Sequence, residues 1–322
     1  MVMGLFFDID AQLPLHGPVA LVAHDAGAAS HIAAWFSSSK LPLRIYAEGP
    51  ARSLFQKVFN HQLEPSLTSA VDKSAVVVTG SGWASDLEHR ARKLASSRNI
   101  PSVAVLDHWA NYSGRFHREG EESLPSILWV SDEDAAALAA ASFPNVPVLQ
   151  LPNIWLEGLC MSVQAIRWKS GSQPRRPARR LLYLLEPIRV PWIQDQARAT
   201  EVGEFQGLRY WFKQLPHLIL RSYVAPPHEL ECLALRPHPS EPVGKYDDLI
   251  AEYSGAWPVS LDSSPGLAES LALADAAFGC ETQALVAAMA CHLPAFSTVP
   301  PWAPPCRLPQ DSLHHLSRLE GL

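Results

Sequence analysis

Nowhere does this 322-residue chain contain the roughly 20 consecutive apolar residues that a membrane-spanning helix needs. Its opening, MVMGLFFDIDAQ, carries a short apolar patch broken by Asp8 and Asp10, which is not the pattern of a secretory leader. Cysteine is sparse. Cys160, Cys232, Cys280, Cys291 and Cys306 are dispersed, odd in number and without a Cys-x-x-Cys spacing, so they read as reduced thiols with no disulfide or zinc role. A cytoplasmic location is the expectation that follows. Charged residues make up only 18% of the chain and the formal net charge is −6, which excludes a general nucleic-acid binder but leaves room for a local basic site holding an anionic substrate. The sequence also lacks a GxSxG elbow, an HExxH helix and a phosphate-binding P-loop. Asp132-Glu133-Asp134 opens an expected helix, where acidic residues complement the dipole, so no metal site and no cofactor are expected.

A hydrophobic content of 48% is that of a globular protein, and 322 residues exceed what one core usually supports. The first half alternates strand and helix signals. Strands are expected at Val19 to Ala23, Leu43 to Ala47, Ala75 to Thr79, Val103 to Leu106 and Ile127 to Val130, with helices at Ala28 to Phe36, Ala51 to Phe59, Ser85 to Ser97 and Asp132 to Ala141. KSGSQPRRPARR (169–180) is polar, carries prolines and lacks apolar periodicity, which marks a linker. Beyond it, strands are expected at Leu181 to Leu185, Cys232 to Leu235, Ala276 to Phe278 and Ala295 to Ser297, with helices at Val202 to Leu215, Glu281 to Ala290 and Ser312 to Leu319. The proline-rich segment Val299 to Pro309 can be neither regular helix nor central strand. Residues 1–165, a linker at 166–180 and residues 181–322 thus form two α/β domains, and the last helix of the second can cross back to the first.

Open α/β sheets bind ligands at the carboxyl ends of their strands, and several polar groups fall there. His238 follows a strand and stands between Pro237 and Pro239; it reads either as a donor to a phosphoryl oxygen or as a turn histidine, and Arg236 beside it adds positive charge. Thr282 opens a helix after Gly279-Cys280, where hydroxyl and backbone N–H groups suit a phosphate and an ordinary N-cap equally. Ser297 and Thr298 end the last strand on the same rim. Glu186 reads as a base or ribose contact or as a loop carboxylate, and Gly279 would admit the nucleotide closely. In the first half, Asp25 is a candidate general base or a helix cap, and Gly27 allows close substrate approach. His108, Trp109 and Asn111, in DHWANY, suit stacking on a sugar and binding its hydroxyls, or form a packed polar cluster. Arg175, Arg176, Arg179 and Arg180 read as a solvated linker or as a contact to anionic lipid at the inner face of the membrane.

RPHPSE followed by ALADAAFGCETQALVAAMACHLPAFST resembles the nucleotide-binding half of GT-B glycosyltransferases. With the acidic-glycine turn of the first half, it is also similar to bacterial sialyltransferases that use CMP-activated nonulosonic acids. LDHWANYSGRF and LLYLLEPI resemble segments of capsule or flagellar glycan biosynthesis proteins. The resemblance implies two Rossmann-like domains facing each other across a cleft and a metal-independent, inverting transfer of a sialic, legionaminic or pseudaminic acid from CMP to a glycan or protein acceptor. It assigns phosphate binding to His238, Ser297 and Thr298 and base catalysis to Asp25. The turn here is His-Asp-Ala-Gly, whereas the family pattern has two acids before glycine. RPHP also resembles elements of UDP-sugar epimerases, so a UDP-sugar epimerase, hydrolase or transferase is the second expectation. A noncatalytic binding protein on the same scaffold is the third.

Overall fold

Val19–Ala23 is apolar along its whole length and all five residues are buried, which a strand covered on both faces requires. Val76–Thr79 and Ser102–Val105 are likewise buried at every residue, each with one hydroxyl side chain at one end. The computed structural model describes residues 7–60, 63–82, 84–190, 192 and 201–319, and the chain divides into two compact units, Met1–Trp155 and Leu156–Leu322.

The first unit runs β1 (Val19–Ala23), α1 (Ala26–Phe36), β2 (Leu43–Ala47), α2 (Gly49–Phe59), α3 (Leu67–Val71), β3 (Val76–Thr79), α4 (Leu87–Ser97) and β4 (Ser102–Val105). A two-stranded antiparallel hairpin, β5 (His117–Arg118) and β6 (Glu121–Glu122), precedes β7 (Ile127–Val130), α5 (Glu133–Ser142) and β8 (Val148–Gln150). The main sheet is parallel, in the order β2-β1-β3-β4-β7-β8. Its winding therefore reverses between β1 and β3. One face packs on Ile32, Trp35 and Phe36 of α1 and Phe55 of α2, the other on Leu87, Ala91 and Ala95 of α4.

The helix α6 (Ile154–Ser170) leads into the second unit, which runs β9 (Arg180–Leu184), α7 (Gly203–Leu220), β10 (Cys232–Arg236), α8 (Asp247–Tyr253), β11 (Val259–Leu261) and α9 (Leu267–Leu273). It continues with β12 (Ala276–Gly279), α10 (Gln283–Ala290), β13 (Ala295–Ser297), β14 (His314–His315) and α11 (Leu316–Leu319). This sheet is also parallel, ordered β11-β10-β9-β12-β13-β14, and reverses between β9 and β12. Each unit is thus a Rossmann-like doubly wound domain, and together they make a GT-B-like α/β fold. Trp211 of α7 anchors the second core against Tyr183 and Phe278.

Most expected elements appear within two residues of their expected ends. The differences have local causes. The expected helix over Glu281 to Ala290 starts at Gln283, because Thr282 takes the extended cap conformation. The expected linker begins inside α6, of whose residues only Val163 and Arg167 are buried, so the helix shows little apolar periodicity. Among the described residues no helix is long and apolar enough to cross a membrane.

The entry into β9 is tied down by Asp275, which is 3% exposed. Its carboxylate accepts the backbone N–H groups of Arg175, Arg179 and Arg180, each at 2.9 Å, and pairs with the Arg175 guanidinium at 3.1 Å. Asp275→Ala would leave those part-buried donors without their shared acceptor and cost about 2 to 3 kcal/mol. Urea unfolding at neutral pH checks this; a loss below about 1 kcal/mol would show the carboxylate to be dispensable.

Candidate functional site

In both units polar residues gather at the carboxyl edge of the sheet, next to the point where winding reverses. In the first unit His24 and Asp25 follow β1, Gly80 to Gly82 follow β3, and Asp107 to Trp109 follow β4, three neighbouring strands.

Asp25 occupies the N-cap position of α1 with extended backbone, yet its side chain makes no capping hydrogen bond. The carboxylate instead meets His24 Nδ1 at 2.7 Å. Its other oxygen lies so near Gly82 that a Cβ there would fall 1.9 Å from Oδ2, so glycine is required at that point of the β3 loop. The His24 ring packs on Gly49, which has φ +51° and whose Cβ would fall 2.6 Å from Nε2. Gly27 lies in the first turn of α1, half-buried.

Beneath this pair is Glu88 of α4, 1% exposed. Its Oε1 accepts the His24 backbone N–H at 2.8 Å, while Oε2 has no hydrogen-bond partner among the described residues. Burial, with a smaller contribution from the Asp25 charge, raises the Glu88 carboxyl to about 7. Arg92, one turn along α4, is spent on the Thr79 hydroxyl and the Gly80 and Ser123 carbonyls, and stacks over Phe116. A second buried arginine, Arg115, bridges Ser81 and Asp107, with Asp107 at 3.3 Å. Trp109 donates to Asp132, the N-cap of α5, at 3.0 Å and is 8% exposed, so it serves packing, whereas Asn111 is exposed with φ 56°. His108 lies half-buried, its ring 5.8 Å from that of Trp109. Sequence reading missed Glu88 because LEHRARK looks like a solvated helix face.

In the second unit His238 follows β10, Glu186 follows β9 and Thr282 follows β12, again three neighbouring strands. The His238 loop is held by Glu241, which accepts the His238 N–H at 3.2 Å, the Lys245 ammonium at 2.6 Å and the Tyr246 hydroxyl at 2.7 Å. Lys245 also bonds buried Glu204. His238 Nδ1 meets the Ser240 hydroxyl at 2.8 Å and lies 3.2 Å from the Ser240 backbone nitrogen, so the ring is oriented by its own turn. Glu186 accepts the Glu281 backbone N–H at 2.5 Å, and burial together with the Glu281 charge raises its carboxyl to about 8. The Glu281 carboxylate pairs with Arg307. Thr282 caps α10 through the Ala284 N–H at 3.3 Å.

Four of the expected residues form hydrogen bonds or close contacts within the second unit. Ser297 and Thr298 are fully buried: the Ser297 hydroxyl donates to the Cys280 carbonyl at 2.7 Å, and the Thr298 hydroxyl bonds Tyr183 at 2.7 Å. These hydroxyls are engaged in holding the Gly279–Cys280 turn in place. Arg236 pairs with Asp262 at 2.6 Å and bonds Ser270 at 2.8 Å, a structural tie across the β10 and β11 ends. Gly279 is required by the sheet itself, since a Cβ would fall 2.7 Å from the Leu184 carbonyl oxygen of β9.

The raised Glu88 carboxyl has a thermodynamic consequence. Folding favours its protonated form, so its contribution to stability falls as pH rises from the ordinary 4.5 to about 7, by about 3 kcal/mol. Glu88→Gln removes that proton. Wild-type stability minus variant stability should drop by about this amount across the window in urea titrations at stepped pH; a difference independent of pH would contradict the assignment.

No protein-family model and no curated protein matches the sequence. Solved structures do. The chain is similar to UDP-GlcNAc 2-epimerase from Neisseria meningitidis bound to UDP-GlcNAc, at a TM-score of 0.59 and 12% identity over 87% of this chain and 82% of that one. It is similar to UDP-GlcNAc 2-epimerase from Methanocaldococcus jannaschii at a TM-score of 0.54 and 11% identity, covering 87% and 83%. At such identities the likeness is one of fold.

Proposed function

We propose that the protein is a nucleotide-sugar enzyme whose substrate is a UDP-linked sugar, and that it epimerises or hydrolyses that sugar. The supporting observation is the placement of titratable side chains at the winding reversal of both sheets, in a fold similar to that of UDP-GlcNAc 2-epimerases. The nucleotide is assigned to the second unit, at His238, Glu186 and the Thr282 end of α10. There a helix N-terminus and an imidazole N–H provide donors for phosphate oxygens. The acid–base group is assigned to the first unit. Asp25 is spared from capping and hydrogen-bonded to His24, so it has a proton carrier beside it. His108 and Asn111 are assigned to the sugar.

The transfer of a CMP-linked nonulosonic acid rests on the short motif resemblance alone, and the glycan or protein acceptor and membrane attachment belong to that reading. The two readings divide cleanly by experiment. Thermal shifts with CMP, CDP, UMP, UDP and GDP should show stabilisation by UDP, about 2.7 kcal/mol at a hundredfold excess over Kd, and its loss in His238→Ala. Incubation with UDP-N-acetylhexosamines in D2O without acceptor should then give a new epimer or the free sugar by NMR. Inversion by removal and return of a proton incorporates deuterium at the inverted carbon. Asp25→Asn should retain UDP binding and lose about a hundredfold or more in turnover. Stabilisation by CMP alone would return the assignment to the transferase, and a response to no nucleotide would remove the nucleotide site.

A further inference from the structure

Two of the five cysteines, 131 positions apart in sequence, meet in the second unit. Cys160 of α6 and Cys291, the C-cap of α10, place their sulfurs 3.2 Å apart, whereas Cys232, Cys280 and Cys306 make no sulfur–sulfur contact among the described residues. A disulfide needs about 2.05 Å between sulfurs, so closure asks for a movement of roughly 1 Å. Cys160 is half-buried and Cys291 is 3% exposed, and Cys291 lines a surface cavity of about 500 Å³ together with Arg167, Trp168 and His292. The Arg167 guanidinium donates to the Cys291 carbonyl at 3.0 Å and to the Leu271 carbonyl at 3.0 Å, which fixes a positive charge beside the thiols.

We propose that Cys160 and Cys291 form a reversible disulfide on exposure to hydrogen peroxide, with Cys160 as the attacking thiol and Cys291 as the resolving one. The hydrogen bond from Cys291 and the charge of Arg167 hold the Cys160 thiol below its ordinary range, while the same bond and burial push Cys291 up. The Cys160 thiolate attacks one peroxide oxygen, the O–O bond breaks, and the departing hydroxide takes up a proton to become water. Cys160 is then a sulfenic acid. The Cys291 sulfur attacks the Cys160 sulfur, the S–O bond breaks, and the hydroxyl leaves with the Cys291 proton as a second water. In sum two thiols lose two electrons and the peroxide is reduced to two waters. The bond staples the C-terminal end of α10 to α6, and α10 is the helix whose other end carries Thr282.

The experiment treats the full chain with hydrogen peroxide, blocks remaining thiols with an alkylating reagent and maps peptides without reduction. Loss of two of the five thiols, a mass decrease of about 2 Da and one cross-linked peptide joining Cys160 to Cys291 are the expected result, reversed by dithiothreitol. Cys160→Ser should keep all four of its remaining thiols after treatment, and Cys291→Ser should stop at a trappable sulfenic acid on Cys160. Circular dichroism confirms that each variant is folded. Either a wild-type chain whose Cys160 and Cys291 are both alkylated after peroxide, or oxidation to sulfinic acid without the cross-link, would overturn the proposal. The readout involves no nucleotide, so it stands or falls separately from the enzymatic assignment.

Discussion

A crossover between parallel strands has a fixed hand, so a chain that begins in the middle of a sheet must wind first to one side and then to the other. At the reversal the two loops leave the strand ends in opposite directions and cannot satisfy each other's backbone groups. Both units meet this constraint in the same way. In the first, the N–H of His24 after β1 is accepted by Glu88. In the second, the N–H of Glu281 after β12 is accepted by Glu186 after β9. At each reversal a glutamate, buried in the first unit and half-buried in the second, accepts a backbone N–H of the loop that follows the strand.

That solution has an electrostatic cost, because removing a carboxylate from water favours its neutral form. Hence Glu88 rises to about 7 and Glu186 to about 8. Either protonation state can accept an amide hydrogen bond, so the loops remain fixed while the local charge changes near neutral pH. Beside Glu186 the like charge of Glu281 is balanced by Arg307, which limits the negative field at the N-terminus of α10. The first unit has a similar balance, with Arg92 countering Glu88 and Arg115 countering Asp107. A site for an anionic substrate can therefore include carboxylates without being uniformly repulsive.

The fold was legible because strands leave short, mostly apolar runs between turn signals: Val19–Ala23, Leu43–Ala47, Ile127–Val130 and Ala295–Ser297 were placed to the residue. What escaped was amphipathic or short. Of the residues in α6 only two are buried, and β8, α8 and β11 each have few buried side chains. At the carboxyl edges, Asp25, Glu186, His238 and Thr282 could be located because strand ends locate them. Glu88 could not, since its place depends on which face of α4 packs under β1. Burial cannot be read from residue type, so the hydroxyls of Ser297 and Thr298 looked available in the sequence when they are spent within the fold.

Those internal hydroxyls explain what remains on the edge of the second sheet. Ser297 fixes the Cys280 carbonyl, Thr298 and Tyr183 bond each other 3.6 Å from the Cys280 sulfur, and Gly207 of α7 lets that sulfur approach to a point where a Cβ would fall 2.5 Å away. The turn before α10 is therefore rigid, and its rigidity sets the direction of the helix N-terminus. The His238 loop is held independently, by Glu241 with Lys245 and Tyr246. Two separately braced groups, a helix end after β12 and an imidazole after β10, stand on one sheet edge on either side of β9. On the proposed reading the phosphate meets a preorganised pair, and binding orders few additional groups, which conserves affinity that a flexible rim would lose to entropy.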